Sequence, residues 1–143
     1  MAYEKYLNFL QEEIGAVVLA TSGNDGVVHS RMVNVGVGNE NGVFFMTAPS
    51  TDLYNQLEEN QNVAITGSVN NDAGFRVIRI EGVVRPLGKE HLEEILKDNP
   101  YVSDVYPDEE ERASVQAFQI FKGNGNYHHL QDREKIDFEW DLS

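Results

Sequence analysis

AVVLATSGNDGVVHSRMVNVGVG, residues 16–38, contains two candidate β-strands joined by a turn. Its first segment, AVVLAT (16–21), is apolar and rich in β-branched residues, which favour strands. The following SGNDG (22–26) is a strong turn signal. Residues 27–38 then alternate between apolar and polar side chains, as a half-buried strand does. The stretch therefore predicts an antiparallel hairpin.

The rest of the chain continues this pattern of short strands and turns, interrupted by helices. Further strand candidates are 43–47, 62–69, 75–87, 115–123 and 126–131, and helical periodicity marks 3–14, 51–60 and 89–99. We expect 126–131 to pair with 115–123 across GNGN, and 101–114 to be a loop with one further helical turn. Six or seven strands and about four helices predict an antiparallel barrel of the α+β class, formed by one domain over residues 1–143.

Composition excludes several classes of protein. The formal net charge of −13 argues against nucleic-acid binding, which needs a basic surface. The longest apolar runs have the length of strands, so no membrane span is predicted. The first residues lack the charged-then-apolar order of a secretory signal, and we therefore expect a cytoplasmic protein. The chain has no cysteine, which excludes disulfides and thiol catalysis.

Familiar catalytic motifs are not found. The sequence has no glycine-rich nucleotide loop and no GxSxG nucleophile motif. No metal site is predicted, because His128 and His129 would point to opposite faces of a strand, and His29 and His91 lie elsewhere in the sequence. The acidic run at 108–111 is expected to be a solvated surface.

Several arginines lie within candidate strands, among them Arg31, Arg76 and Arg79. A strand arginine flanked by apolar residues must reach solvent or meet a negative charge, because a lone buried charge is costly. One interpretation is that each reaches water or pairs with an acidic side chain. The other is that one or two of them bind an anionic ligand through the planar guanidinium. The residues alone do not decide between these interpretations.

MTAPSTDLYNQLEEN (46–60) also has two interpretations. Ser50 or Thr51 is a suitable helix N-cap, and Asp52 in the first turn suits the helix dipole, so the segment could simply be a capped helix. Hydroxyls ahead of a helix start could equally hold a phosphate. The absence of lysine and arginine from the segment favours the capped helix when the residues are considered alone.

The order of the segments resembles that of the pyridoxamine 5′-phosphate oxidase-like superfamily, the FMN-binding split β-barrels, and in particular its small bacterial members. The similarity extends over GAVVLATSGNDGVVHSRMVNV (15–35), NGVFFMTAPSTDLYNQLEENQNVAI (41–65), FRVIRIEGVVRPL (75–87) and FQIFKGNGNYHHL (118–130). It implies a six-stranded antiparallel split β-barrel with flanking helices, which forms a homodimer with FMN sites at the subunit interface. It also implies a flavin-dependent oxidoreductase acting on a small molecule.

The resemblance further implies which residues bind the cofactor. Arg31 and Thr47 would lie near the phosphate, the start of the helix would complete the phosphate site, and Val77 would lie beside the flavin ring. The segment 127–140 would lie near the partner's site, where Tyr127, His128 and His129 are the candidate acids or bases. The full set of implied cofactor-binding residues is Arg31, Met32, Val33, Phe45, Met46, Thr47, Ser50, Thr51, Gln56, Val77 and Arg79.

The chain departs from the family pattern in three places, one of which is Val77, where relatives often have tryptophan or glutamine. Many relatives carry a lysine where this chain has Thr51, Asp52 and Leu53, so the phosphate would depend on Arg31, with Arg79 and the hydroxyls. The tail HHLQDREKIDFEWDLS (128–143) does not reproduce the substrate-binding segment of true pyridoxamine phosphate oxidases, so that activity is not predicted. A flavin-binding module without turnover, a barrel that has lost its cofactor, and a related cofactor such as F420 or haem remain alternatives.

Overall fold

The computed structural model describes residues 2–88 and 114–143, and the predicted helix at 89–99 lies outside these ranges. The chain begins with helix α1 (Glu4–Phe9), which continues into a π-helical turn (Leu10–Ile14). The strands are β1 (Ala16–Ser22), β2 (Val28–Asn34), β3 (Val37–Asn39), β4 (Gly42–Thr47), β5 (Asn62–Asn71), β6 (Gly74–Gly88), β7 (Gln116–His129) and β8 (Glu134–Asp141), and helix α2 (Asp52–Glu59) connects β4 to β5. No helix in the described part of the chain is both long enough and apolar enough to cross a membrane.

The eight strands form one antiparallel sheet. Its order is β2-β1-β5-β6-β7-β4-β3, and β8 pairs with the second half of β7. Strands β2 and β3 end the order, and within the described residues no pairing between them closes the sheet. The antiparallel α+β split-barrel class is thus confirmed, but the described sheet has eight strands where six were expected.

One source of the higher strand count lies in residues 27–38, which were predicted as a single strand. The β1–β2 hairpin itself is confirmed, with Val18 opposite Met32. After Asn34 the chain changes neighbours: the Val35 amide donates to Gly15 O at 2.7 Å, and the Gly36 amide donates to Phe44 O at 2.8 Å. The residues that follow pair with β4, so the predicted strand is divided into β2 and β3.

The predicted turn at GNGN is wrong. Residues 116–129 form one continuous strand, β7, and the strand that pairs with its second half is the tail, β8. The glycines in this stretch serve close packing. A Cβ on Gly125 would lie 2.2 Å from the carbonyl oxygen of Arg79 and 3.1 Å from the ring of Phe138. Glycine is therefore needed here for contact with neighbouring strands, and the chain does not turn.

The sheet has two distinct faces because side chains alternate along each strand. We call the face that packs against the helices the core face and the opposite one the outer face. On the core face, aromatic rings form much of the packing, including the stacked pairs Tyr6–Phe138 at 5.1 Å and Phe45–Phe118 at 5.7 Å. Strand register assigns Arg31, Leu19, Ile65 and Ile80 to the core face, and Met32, Val18, Thr66 and Arg79 to the outer face.

Candidate functional site

Arg31 lies on the core face at the end of the sheet, where helix α2 packs against β1. Its guanidinium is held by three acceptors from two elements. Nη1 donates to Leu19 O at 3.1 Å and to Thr21 Oγ1 at 2.8 Å, and Nη2 donates to Gln56 Oε1 at 2.5 Å. The Thr21 hydroxyl also donates to Gln56 Oε1, at 2.5 Å. A positive charge is thereby fixed beside α2.

The charge on Arg31 is influenced by its surroundings. Burial lowers the pKa of the half-buried Arg31 guanidinium, and the negative charge of Asp52 opposes that shift. The arginine guanidinium nevertheless stays protonated in proteins, because its pKa lies far above neutral pH. Arg31 is therefore a cation at neutral pH, with an anionic side chain close enough to affect it.

The start of α2 is closed by hydroxyl groups. Thr51 has an extended backbone, and its Oγ1 accepts the Tyr54 amide at 3.1 Å, so it is the N-cap. The same hydroxyl donates to Ala48 O at 2.8 Å and lies 2.7 Å from the hydroxyl of buried Thr47. The capped-helix interpretation is confirmed at Thr51, while Ser50 is exposed just before it.

We call Arg31, Thr21, Thr47, Thr51 and Gln56 the α2 corner. It presents the groups that bind anions in proteins: a guanidinium, hydroxyls and the positive end of a helix dipole. These donors are of the chemical types that bind a phosphate group. Their charge matches it less well, because the single positive charge of Arg31 lies near the carboxylate of Asp52.

Other residues implied by the resemblance are not at this corner. Val77 and Arg79 are on the outer face of β6, opposite Ser68 and Thr66 of β5, so the sheet separates them from Arg31. The side chain of Met32 is on the outer face and 61% exposed. Among the remaining implied residues, Val33 packs against the core, Phe45 lies within it, and Met46 packs against Phe44 and Ala117.

Sequence reasoning missed Thr21. It is 3% exposed and bonds both Arg31 and Gln56. A signal was present: Thr21 ends the apolar run AVVLAT and shares the alternation of the buried residues Val17 and Leu19. A hydroxyl at a buried strand position needs a hydrogen-bond partner, which identifies it as a candidate for polar contacts.

Arg76 follows the simpler interpretation for strand arginines. Its Nη2 donates to Glu13 at 2.9 Å, and its guanidinium lies 4.9 Å from the Phe9 ring centre. The hydrogen bond to Glu13 raises the pKa of Arg76, although burial opposes the rise. This pair joins the N-terminal helical segment to β6 and is structural.

A groove on the outer face is lined by described residues and does not coincide with the α2 corner. It has a volume of about 890 Å³, and small residues such as Ala20, Ala64 and Gly82 line it together with Glu81 and Lys122. Only Thr21 belongs both to the groove lining and to the α2 corner. No group of three or more metal-binding side chains occurs among residues 2–88 and 114–143.

Comparison with known proteins identifies the family. Residues 3–129 match the family model described as pyridoxamine 5′-phosphate oxidase. The chain belongs to this family. A Caenorhabditis elegans protein named "Putative pyridoxamine 5'-phosphate oxidase" is 38% identical over 97 residues, which make up 66% of this chain and 41% of the worm protein. The match thus spans less than half the length of that relative.

Solved structures show the same fold. A NimC/NimA family protein from Clostridium acetobutylicum has a TM-score of 0.74 at 23% identity, covering 96% of this chain and 94% of that chain. HutZ, a haem storage protein from Vibrio cholerae, has a TM-score of 0.62 at 14% identity, covering 84% of this chain and 89% of that chain. At least one protein with this fold is thus a haem storage protein.

Proposed function

We propose that this chain is an FMN-binding protein, and specifically a flavin-dependent oxidoreductase acting on a small molecule, whose site lies at the interface of a homodimer. The observation that carries the proposal is the α2 corner in a chain of the pyridoxamine 5′-phosphate oxidase family. There Arg31 bonds Gln56 of α2, and the hydroxyls of Thr47 and Thr51 lie at the start of the same helix. The location agrees with the phosphate position implied by the resemblance.

The residues of the α2 corner would hold the phosphate end of the cofactor. Arg31 would exchange some of its contacts with Thr21 and Gln56 for phosphate oxygens, and the hydroxyls of Thr47 and Thr51 would supply further donors. The bound flavin would supply the hydride or electron chemistry. The protein's own contribution is to bind and orient the cofactor and to surround it with a fixed set of charges.

A homodimer is supported by the apolar part of the outer face. Val18, Val28 and Met32 lie together on β1 and β2 and are 40%, 73% and 61% exposed. Contiguous exposed apolar side chains often mark protein contacts. In a dimer formed through this face, Val77 and Arg79 would face the partner, which is how they could still lie beside a flavin at the interface.

One observation favours a second candidate, a barrel that binds no cofactor. Arg31 already makes three hydrogen bonds within the protein without any ligand, and Asp52 reduces the positive charge of the corner. Such a protein would persist as a structural or regulatory dimer. Binding measurements distinguish it from the flavoprotein.

The test is a visible absorption spectrum of the purified protein after incubation with FMN and desalting. We expect retention of about one flavin per chain, strongly reduced in Arg31→Ala because the guanidinium is the only cation bonded to α2 among the described residues. Lys5→Ala removes one positive charge from an exposed position of α1 and serves as the matched control. No retained flavin at any FMN concentration would overturn the proposal, and a haem spectrum would replace FMN with that cofactor.

Two further measurements test the remaining parts of the proposal. Anaerobic mixing of the FMN-loaded protein with NADH or NADPH should bleach the flavin band if the protein is a reductase, whereas a passive flavin-binding module leaves the band unchanged. Light scattering should give twice the 16.1 kDa chain mass. Met32→Asp should return the protein to a monomer, while Asn24→Asp, which adds the same charge in an exposed turn, should not.

A further inference from the structure

We infer that Asp52 is a specificity-determining residue of the α2 corner. Its negative charge reduces the binding free energy that a ligand gains from its phosphate, so that a flavin without phosphate binds almost as well as FMN. The inference rests on the proposed function, since it concerns the ligand of the same corner.

The position of Asp52 is fixed by helix geometry. Asp52 is the first residue of α2, and Gln56 follows it by four residues, so the two side chains lie on the same face of the helix. Gln56 bonds the guanidinium of Arg31 at 2.5 Å. Asp52 therefore lies one turn from the residue that holds Arg31, and its charge acts on that guanidinium.

The charge balance of the corner follows from these neighbours. Arg31 contributes one positive charge and Asp52 one negative charge, and no lysine or arginine occurs in the sequence between Arg31 and Arg76. Arg76 is paired with Glu13, and Arg79 is on the outer face. Of these described charges, Arg31 would attract a phosphate dianion at this corner and Asp52 would repel it.

Asp52 also has a simpler structural role that must be separated from specificity. A carboxylate in the first turn stabilises a helix through its dipole. Thr51 already caps this helix through its side chain, so the helix start does not depend on Asp52 alone. A purely structural Asp52 would change the stability of the protein when replaced, but it would not change the preference between two ligands that differ only in phosphate.

FMN and riboflavin provide that pair, because they share the ring and the sugar alcohol chain and differ in the phosphate. Dissociation constants for both are measured by flavin fluorescence titration of the wild type, Asp52→Asn and Asp52→Ser. We expect the wild type to bind the two flavins within about threefold of each other. Both variants should bind FMN roughly 3- to 10-fold more tightly and riboflavin with unchanged affinity, as expected for removing one nearby like charge.

Glu58→Gln is the matched control, because it removes the same charge from the exposed far end of α2. It should leave the FMN-to-riboflavin ratio unchanged. Added salt should reduce the gain in Asp52→Asn, since the effect is electrostatic. Thermal unfolding of each variant confirms that the comparison is made on folded protein, and Asp52→Ser replaces Asp52→Asn if the latter does not fold.

The outcomes separate the inference from the proposed function. If flavins bind but the ratio is unchanged in both Asp52 variants, or if riboflavin affinity rises as much as FMN affinity, the specificity role of Asp52 is overturned while the flavin site stands. If neither flavin binds the wild type or any variant, the proposed function fails, and the inference fails with it.

Discussion

Replacing Thr21 with valine tests whether the Arg31 contacts stabilise the fold as the structure indicates. Valine has nearly the same shape, so the change removes a hydroxyl that accepts from Arg31 at 2.8 Å and donates to Gln56 at 2.5 Å. A hydrogen bond to a charged group contributes about 1.5–3 kcal/mol. Because Arg31 is half-buried and keeps some access to water, we expect a loss of about 1–2 kcal/mol in the free energy of unfolding.

The assay is urea unfolding followed by circular dichroism at a fixed protein concentration. The expected loss corresponds to a fall in Tm of about 2–8 °C for a domain of this size. Thr66→Val is the matched control, because Thr66 is exposed on the outer face of β5, and it should change stability by less than about 0.5 kcal/mol. Thr21→Ser should restore most of the loss. Equal stability of Thr21→Val and Thr66→Val would refute the view that the hydroxyl supports a half-buried guanidinium.

Three further predictions concern stability away from the α2 corner. Arg76→Met should lower the free energy of unfolding in urea by less than Glu13→Gln does, because methionine removes the buried charge. Glu13→Gln leaves that charge without its ion partner, which should cost about 1–3 kcal/mol. A larger loss in Arg76→Met than in Glu13→Gln would contradict this. Gly38→Ala should destabilise the protein by about 2–4 kcal/mol in the same assay, since a Cβ there would lie 2.2 Å from the carbonyl oxygen of Leu7. An unchanged Tm would show instead that α1 moves away freely. The pKa of Asp25 is lowered from 3.8, first by a backbone hydrogen bond, so its stabilising contribution is present above pH about 4 and is lost as the pH falls through the lower folded pKa. Asp25→Asn should accordingly be less stable than the wild type at pH 6 and equal to it near pH 2, and a difference that persists at the lower pH would contradict the assignment.

Local patterns predicted much of the fold because they follow from side-chain alternation and turn chemistry. The β1–β2 hairpin and the N-cap at Thr51 depend on neighbours in sequence, and both are found. The division between β2 and β3 depends instead on two hydrogen bonds with different neighbours, from Val35 back to Gly15 and from Gly36 forward to Phe44. Such a change of strand partner leaves no local signal.

The segment GNGN (123–126) shows how the same residue type can serve two purposes. Glycine and asparagine favour turns through their backbone freedom, and on that basis a hairpin was predicted. In the structure, Gly125 lies so close to the backbone of Arg79 that a side chain would not fit. Whether a glycine allows a turn or a close approach depends on the neighbouring strand, which the sequence does not identify.

The two strand arginines Arg31 and Arg79 show where prediction of the site reached its limit. Both lie in strands among apolar residues, and the resemblance assigned both to one ligand. In a single subunit the strand register places the two arginines on opposite faces of the sheet, because Arg31 pairs with Leu19 on the core face and Arg79 pairs with Thr66 on the outer face. A shift of one residue in register reverses the face of every side chain in a strand. Within one subunit the sheet lies between the two arginines, and the proposed dimer would bring Arg79 of one subunit toward the other. For this reason the flavin measurement on Arg31→Ala and the oligomer measurement on Met32→Asp must be made together.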